Sequence, residues 1–163
     1  MNNINLRKLD VEQKAAISFF CLYCIFGPFI NFAYHSYKIG IGFDKMLKHY
    51  YGSAEELLPP QSLTSLLEIM HFHTWGQASV LLILTLVFSF VSLFSSRVKV
   101  VIIITAFLSS MGHIFNPLLT RYVSNIFIYP LFLSTLLLSV LIIFVSSVVL
   151  IDIWKKDEIH FRL

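Results

Sequence analysis

The segment Tyr122–Ile151, YVSNIFIYPLFLSTLLLSVLIIFVSSVVLI, runs for 30 residues without one Asp, Glu, Lys or Arg. A helix needs about 20 residues to cross a ~30 Å hydrocarbon core, so this stretch spans a bilayer with length to spare. Three more uncharged stretches precede it: Ala15–Tyr37 (23 residues), Ile69–Ser96 (28) and Val100–Thr120 (21). The 163-residue chain is 57% hydrophobic and 13% charged, with a mean hydropathy of +0.79, whereas a soluble domain carries about 25% charge. A soluble globular domain, a disordered chain and a nucleic-acid-binding module are therefore excluded. The expected fold is all-α: an integral membrane antiparallel four-helix bundle forming one domain over 1–163, with spans at about 15–37, 67–96, 100–120 and 124–151.

Basic residues set the orientation. Arg7, Lys8, Lys14, Arg97, Lys99, Lys155, Lys156 and Arg162 fall on one side of such a bundle, and Lys38, Lys45, Lys48 and Arg121 on the other. The richer side faces the cytoplasm, which places both termini inside a bacterial inner (plasma) membrane. The first apolar run is too long for a signal-peptide core and no small-residue cleavage site follows it. The one long connection, 38–66, then lies on the outer face. Within it, Asp44–Tyr51 has apolar or aromatic residues at helical spacing, a pattern suited to the membrane surface. Gly52-Ser53 should end that helix, and Ser62-Leu-Thr-Ser should start the second span.

Histidines carry the chemistry. At 1.5 Å rise per residue, His35, His71 and His113 fall roughly 5, 5 and 10 Å below the outer surface. At about 100° per residue, Cys21, Cys24, Pro28, Asn31 and His35 share one face of the first span. His71 shares a face with Thr74, Ala78, Thr85, Ser89, Ser92 and Ser96. His113 shares one with Thr105, Ala106, Ser109, Gly112, Asn116 and Thr120. Membrane helices pack through small and hydroxylated residues, so these three stripes should meet inside, with His73 turned away from His71. The fourth span has a weaker stripe (Thr135, Ser139, Ser146) that reads as packing.

An ionisable group inside a span points to function, although a single histidine near a helix end commonly does no more than hydrogen-bond a carbonyl or reach the headgroups. Two chemistries suit three aligned imidazoles. The first is haem b, with His71 and His113 as axial ligands and His35 as third candidate, Asn31, Asn116 and Trp75 around the ring, and Arg121 with the outer lysines pairing the propionates. Such a centre transfers electrons without an open coordination position, and its partner would be a membrane quinone or a periplasmic electron carrier. The second is a non-haem ion, Zn, Fe or Cu, held by His71, His113, His35 and Glu68, because Glu68-x-x-His71 is the i, i+3 pair by which bundles present a carboxylate and an imidazole to one metal. The alternative outside both is a non-catalytic membrane subunit or scaffold, part of a membrane protein complex, whose histidines bond between helices. Cys21 and Cys24 stand three apart on a helix with no second thiol pair, which favours small-residue packing over redox exchange.

Tyr50-Tyr51-Gly52, followed by Leu66-Leu67-Glu68-x-x-His71-x-His73 and then Gly112-His113, resembles small four-helix bacterial inner-membrane proteins over the central half of the chain. That resemblance implies fold and location but no activity. More loosely, histidines on facing helices resemble the cytochrome b561-type membrane cytochromes. That likeness implies haem ligation, here for a single haem, since the histidines gather near one face only.

Overall fold

Lipid offers no partner to a backbone N–H or C=O, so an apolar run that enters it must satisfy its own hydrogen bonds as a helix. The computed structural model describes residues 5–155, and in that range the chain forms five α-helices and no strand. They are α1 (Val11–Lys38), α2 (Phe43–Tyr51), α3 (Leu63–Ser89), α4 (Ser96–Tyr122) and α5 (Ile128–Trp154). α1, α3, α4 and α5 are long and apolar enough to cross a membrane. They alternate in direction, as expected for an antiparallel bundle. α5 is its centre, packed on α1, α3 and α4; α3 also packs on α4. One end carries the α1–α3 connection (the loop end), the other the chain termini (the termini end). Lys156 and Arg162, part of the charge count that oriented the chain, lie outside the described residues.

The helix ends have local causes. The Ser62 hydroxyl accepts from the Ser65 N–H at 3.1 Å and starts α3 as expected. α3 ends at Ser89, not near 96, because Ser92 is drawn out of helical geometry. Its N–H and its hydroxyl donate to opposite oxygens of Asp152, each at 2.8 Å. Lys99 Nζ then donates to the Ser89 and Val91 carbonyls, at 2.6 and 3.0 Å, which supplies partners that the end of a helix otherwise lacks.

Asp152 has no exposed surface. Besides Ser92 it accepts from Arg7 Nε at 3.1 Å and Nη2 at 2.8 Å. Arg7 is held in turn: its Nη2 donates to the Ser92 hydroxyl at 2.6 Å, and its carbonyl accepts from Lys14 Nζ at 2.7 Å. This clamp folds the N-terminal turn Leu6–Lys8 back under the bundle, where Leu6 is buried with Cys21, Cys24, Phe88, Val149 and Ile153. The reading of Cys21 and Cys24 as packing residues agrees with their burial here as free thiols.

At the loop end, α2 appears within one residue of its expected start and stops at Gly52, whose φ is +81° and whose Cβ, if present, would lie 2.7 Å from the Leu58 carbonyl. α2 is docked on the bundle. Tyr50 is buried with Leu66, Ile128 and Leu131, which pushes its phenol up to about 12. Tyr51 donates its hydroxyl proton to the Thr120 carbonyl.

Removing one partner of a buried ion pair costs about 3–5 kcal/mol. Asp152→Ala should therefore lower the unfolding midpoint in mild detergent sharply, and Ser92→Ala by less, since the Ser92 backbone bond survives. Equal midpoints for wild type and Asp152→Ala would show that the clamp does not hold the termini end.

Candidate functional site

The interior face of α3 follows Leu66, Met70, His73, Gln77, Leu81, Leu84 and Phe88, while Glu68, His71 and Trp75 are exposed. This reverses the expectation for the two histidines: His73 points in and His71 out. The physical reason lies in the hydroxyls that had marked the other face as interior. Thr74 Oγ1 donates to the Met70 carbonyl at 2.7 Å and Ser89 Oγ to the Leu86 carbonyl at 2.6 Å. A hydroxyl that returns its proton to its own helix has no need of a neighbour. A glutamine amide has more donors and acceptors than its own helix can fill, and Gln77, the only one in the span, was the available signal.

The site lies where α3, α4 and α5 meet. Ser110 of α4 donates to Gln77 Oε1 at 2.9 Å, which turns the Gln77 amide so that Nε2 donates to His73 Nδ1 at 3.1 Å. The His73 and His113 rings stand edge to face, centroids 5.3 Å apart and planes at 87°. On the far side, Thr135 of α5 gives its only hydroxyl proton to the Leu131 carbonyl at 2.8 Å. His113 Nδ1, 2.7 Å from that oxygen, is therefore the donor. The bonds fix complementary tautomers: His73 carries its proton on Nε2, and His113 keeps a lone pair there. His73 and His113 are about 14–15 Å along their helices from the loop end at 1.5 Å per residue.

The other expected residues divide. His35, on the half-buried stripe of α1 with Pro28 and Asn31, lies within electrostatic reach of His73 and His113. Asn116 is buried on α4 beside Gly112, where a Cβ would meet the Ser134 Cβ at 2.9 Å; glycine permits the close α4–α5 approach. Arg121 is occupied otherwise than with a cofactor: its Nε donates to the Gln61 carbonyl at 3.3 Å and its guanidinium covers the Tyr51 and Tyr122 rings at 5.6 and 5.3 Å. Trp75, 70% exposed, belongs to the lipid-facing surface. Glu68 and His71 do not join His35 and His113, and no group of three or more His, Cys, Asp or Glu among the described residues is arranged to hold a metal ion. The fourth span, read as packing alone, supplies Thr135 to this site and Asp152 to the clamp.

Interhelical hydrogen bonds in membranes are worth about 0.6 kcal/mol on average, and His113 adds a half-buried ring. His113→Ala should lower the unfolding midpoint measurably, while His71→Ala leaves it unchanged; the reverse order would place the interior face of α3 where the hydroxyl stripe had put it.

A family model described as a transmembrane helical domain matches residues 40–160, most of the chain. No curated protein and no solved structure matches.

Proposed function

The chain belongs to this Aq_1264_TM family of transmembrane helical domains, and from that premise we propose that it is a non-catalytic membrane subunit or scaffold whose histidines clasp helices together. The observation that supports this is the commitment of the imidazoles: His73 Nδ1 is taken by Gln77, His113 Nδ1 by Thr135, and the rings touch each other. In a ligand site the free nitrogens would converge on an open point. The bundle sits in a bacterial inner membrane with both termini in the cytoplasm, on the strength of six basic residues at the termini end against four at the loop end among the described residues.

A second reading keeps the cofactor. The lone pair on His113 Nε2 is presented with the opposite N–H held by Thr135, the pattern in which an outer partner fixes a ligating imidazole. In this reading His73, not His71, stands opposite His113, with His35 of α1 within electrostatic reach of both. A haem b there would carry electrons to a quinone or periplasmic carrier, and Zn, Fe or Cu would need fewer ligands from the chain. Haem fits the observed packing poorly: axial imidazoles lie on opposite faces of a macrocycle, and rings in edge-to-face contact at 5.3 Å leave no gap for one.

Protein extracted in mild detergent should be colourless and substoichiometric in metal. A Soret band, or one equivalent of metal removed by His113→Ala, would overturn the scaffold reading in favour of the second. For topology, Glu55→Cys in a Cys21→Ser/Cys24→Ser background should react with a membrane-impermeant maleimide on intact spheroplasts; labelling only after lysis would reverse the orientation.

A further inference from the structure

The α1–α3 connection encloses an open cleft of about 870 Å³ at the loop end, walled by the last turn of α1, residues 39–42, one side of α2, and Glu56, Leu58, Pro59 and Gln61. Its charged side chains are Lys38, Lys45 and Lys48 against Asp44 and Glu56. Lys48 is already paired with Glu56, whose hydrogen bond and charge push the ammonium pKa up. Lys38 is held by a neutral partner, the Tyr34 hydroxyl at 2.8 Å, and so keeps its charge uncompensated. The Lys45 stem crosses Gly40, where φ is +88° and a Cβ would collide with it. That glycine is what lets Lys45 lie along the cleft wall. Asp44, in the first turn of α2, offsets the positive end of that helix, so the lysines and not the helix terminus are the cationic feature. His49 adds no charge at neutral pH: burial, then Lys38 and His35 nearby, hold its imidazole below the usual range.

The rim is apolar. Tyr37 is 95% and Ile41 73% exposed on the cleft wall, and Leu57, 89% exposed, stands in the turn between Glu56 and Leu58, which line the cleft. Leu57 is also the one residue other than glycine with positive φ among those described, at +53°, set in the tight turn closed by the Ser53–Leu58 bridge. A leucine held in that region is strained, and retained strain of this kind gathers where a side chain is presented for use. A cleft whose lysines outnumber its carboxylates three to two, with bare apolar groups around it, on a transmembrane domain, matches the two halves of an amphiphile.

We infer that this cleft binds a phosphate group carried on a membrane lipid, with Lys38 and Lys45 meeting the phosphate oxygens while Tyr37, Ile41 and Leu57 lie against the acyl chains. The inference rests on the cleft and on membrane insertion, and stands whether or not the histidine pair holds a cofactor.

The test is native mass spectrometry of detergent-solubilised protein incubated with phosphatidylglycerol or with diacylglycerol, its phosphate-free counterpart. Wild type should retain phosphatidylglycerol and not diacylglycerol. Lys38→Gln/Lys45→Gln, both at exposed positions, should retain about tenfold less, since each lysine near a lipid phosphate contributes appreciably. Circular dichroism checks that the variant is folded. Leu57→Gly relieves the strained turn and should weaken retention without loss of fold. Competition by millimolar inorganic phosphate, equally strong in Leu57→Gly, would assign the lysines to a free phosphate and overturn the lipid. Equal retention of the two lipids, or by wild type and the double lysine variant, would overturn the site altogether.

Discussion

A carboxylate stripped of solvent at the end of a membrane bundle must find its full set of donors within the protein, because an unmatched buried charge costs more than any single apolar contact there returns. Asp152 meets that demand with partners from two distant stretches, Arg7 and Ser92. Much of the termini end follows. The N-terminal turn has to fold back to bring Arg7 in, α3 has to stop early enough to free Ser92, and Lys99 has to cover the carbonyls left bare by that stop. Anchoring residue 92 to α5 also fixes how α3 is rotated. With that rotation set, Leu84, Phe88 and, further along, Gln77 and His73 face inward, and His71 is left outside.

Packing in lipid follows different economics from packing in water. Apolar side chains lose little by facing acyl chains, which is why α1 carries exposed Phe19, Phe26, Phe29 and Phe32. Cohesion comes from close backbone approach and polar bonds across helices. Both are visible along α4: Gly112 admits Ser134, and His113 bonds to Thr135. The termini end holds an ion pair whose carboxylate is fully buried and several bonds from lysine to carbonyl, whereas the ion pair at the loop end, Lys48–Glu56, is exposed and stands beside an open cleft between α1, α2 and the following loop.

Charge-free length, the arithmetic of 1.5 Å per residue and the requirement that lipid-embedded backbone be helical determined the four spans from the sequence alone, together with their alternation and the short helix between the first two. The polar faces of α1 and α4 were legible for a related reason: cysteine, asparagine, glycine and histidine at helical spacing leave one direction in which a neighbour can approach. The face of α3 was not legible, because threonine and serine satisfy themselves on their own helix and so carry no information about direction. Which histidine meets His113, that Thr135 fixes its tautomer, and that Asp152 draws Arg7 and Ser92 together depend on residues up to 145 positions apart in the chain. Such pairings are settled only when the helices have packed, since hydrogen bonding is a short-range interaction between groups whose separation no local pattern encodes.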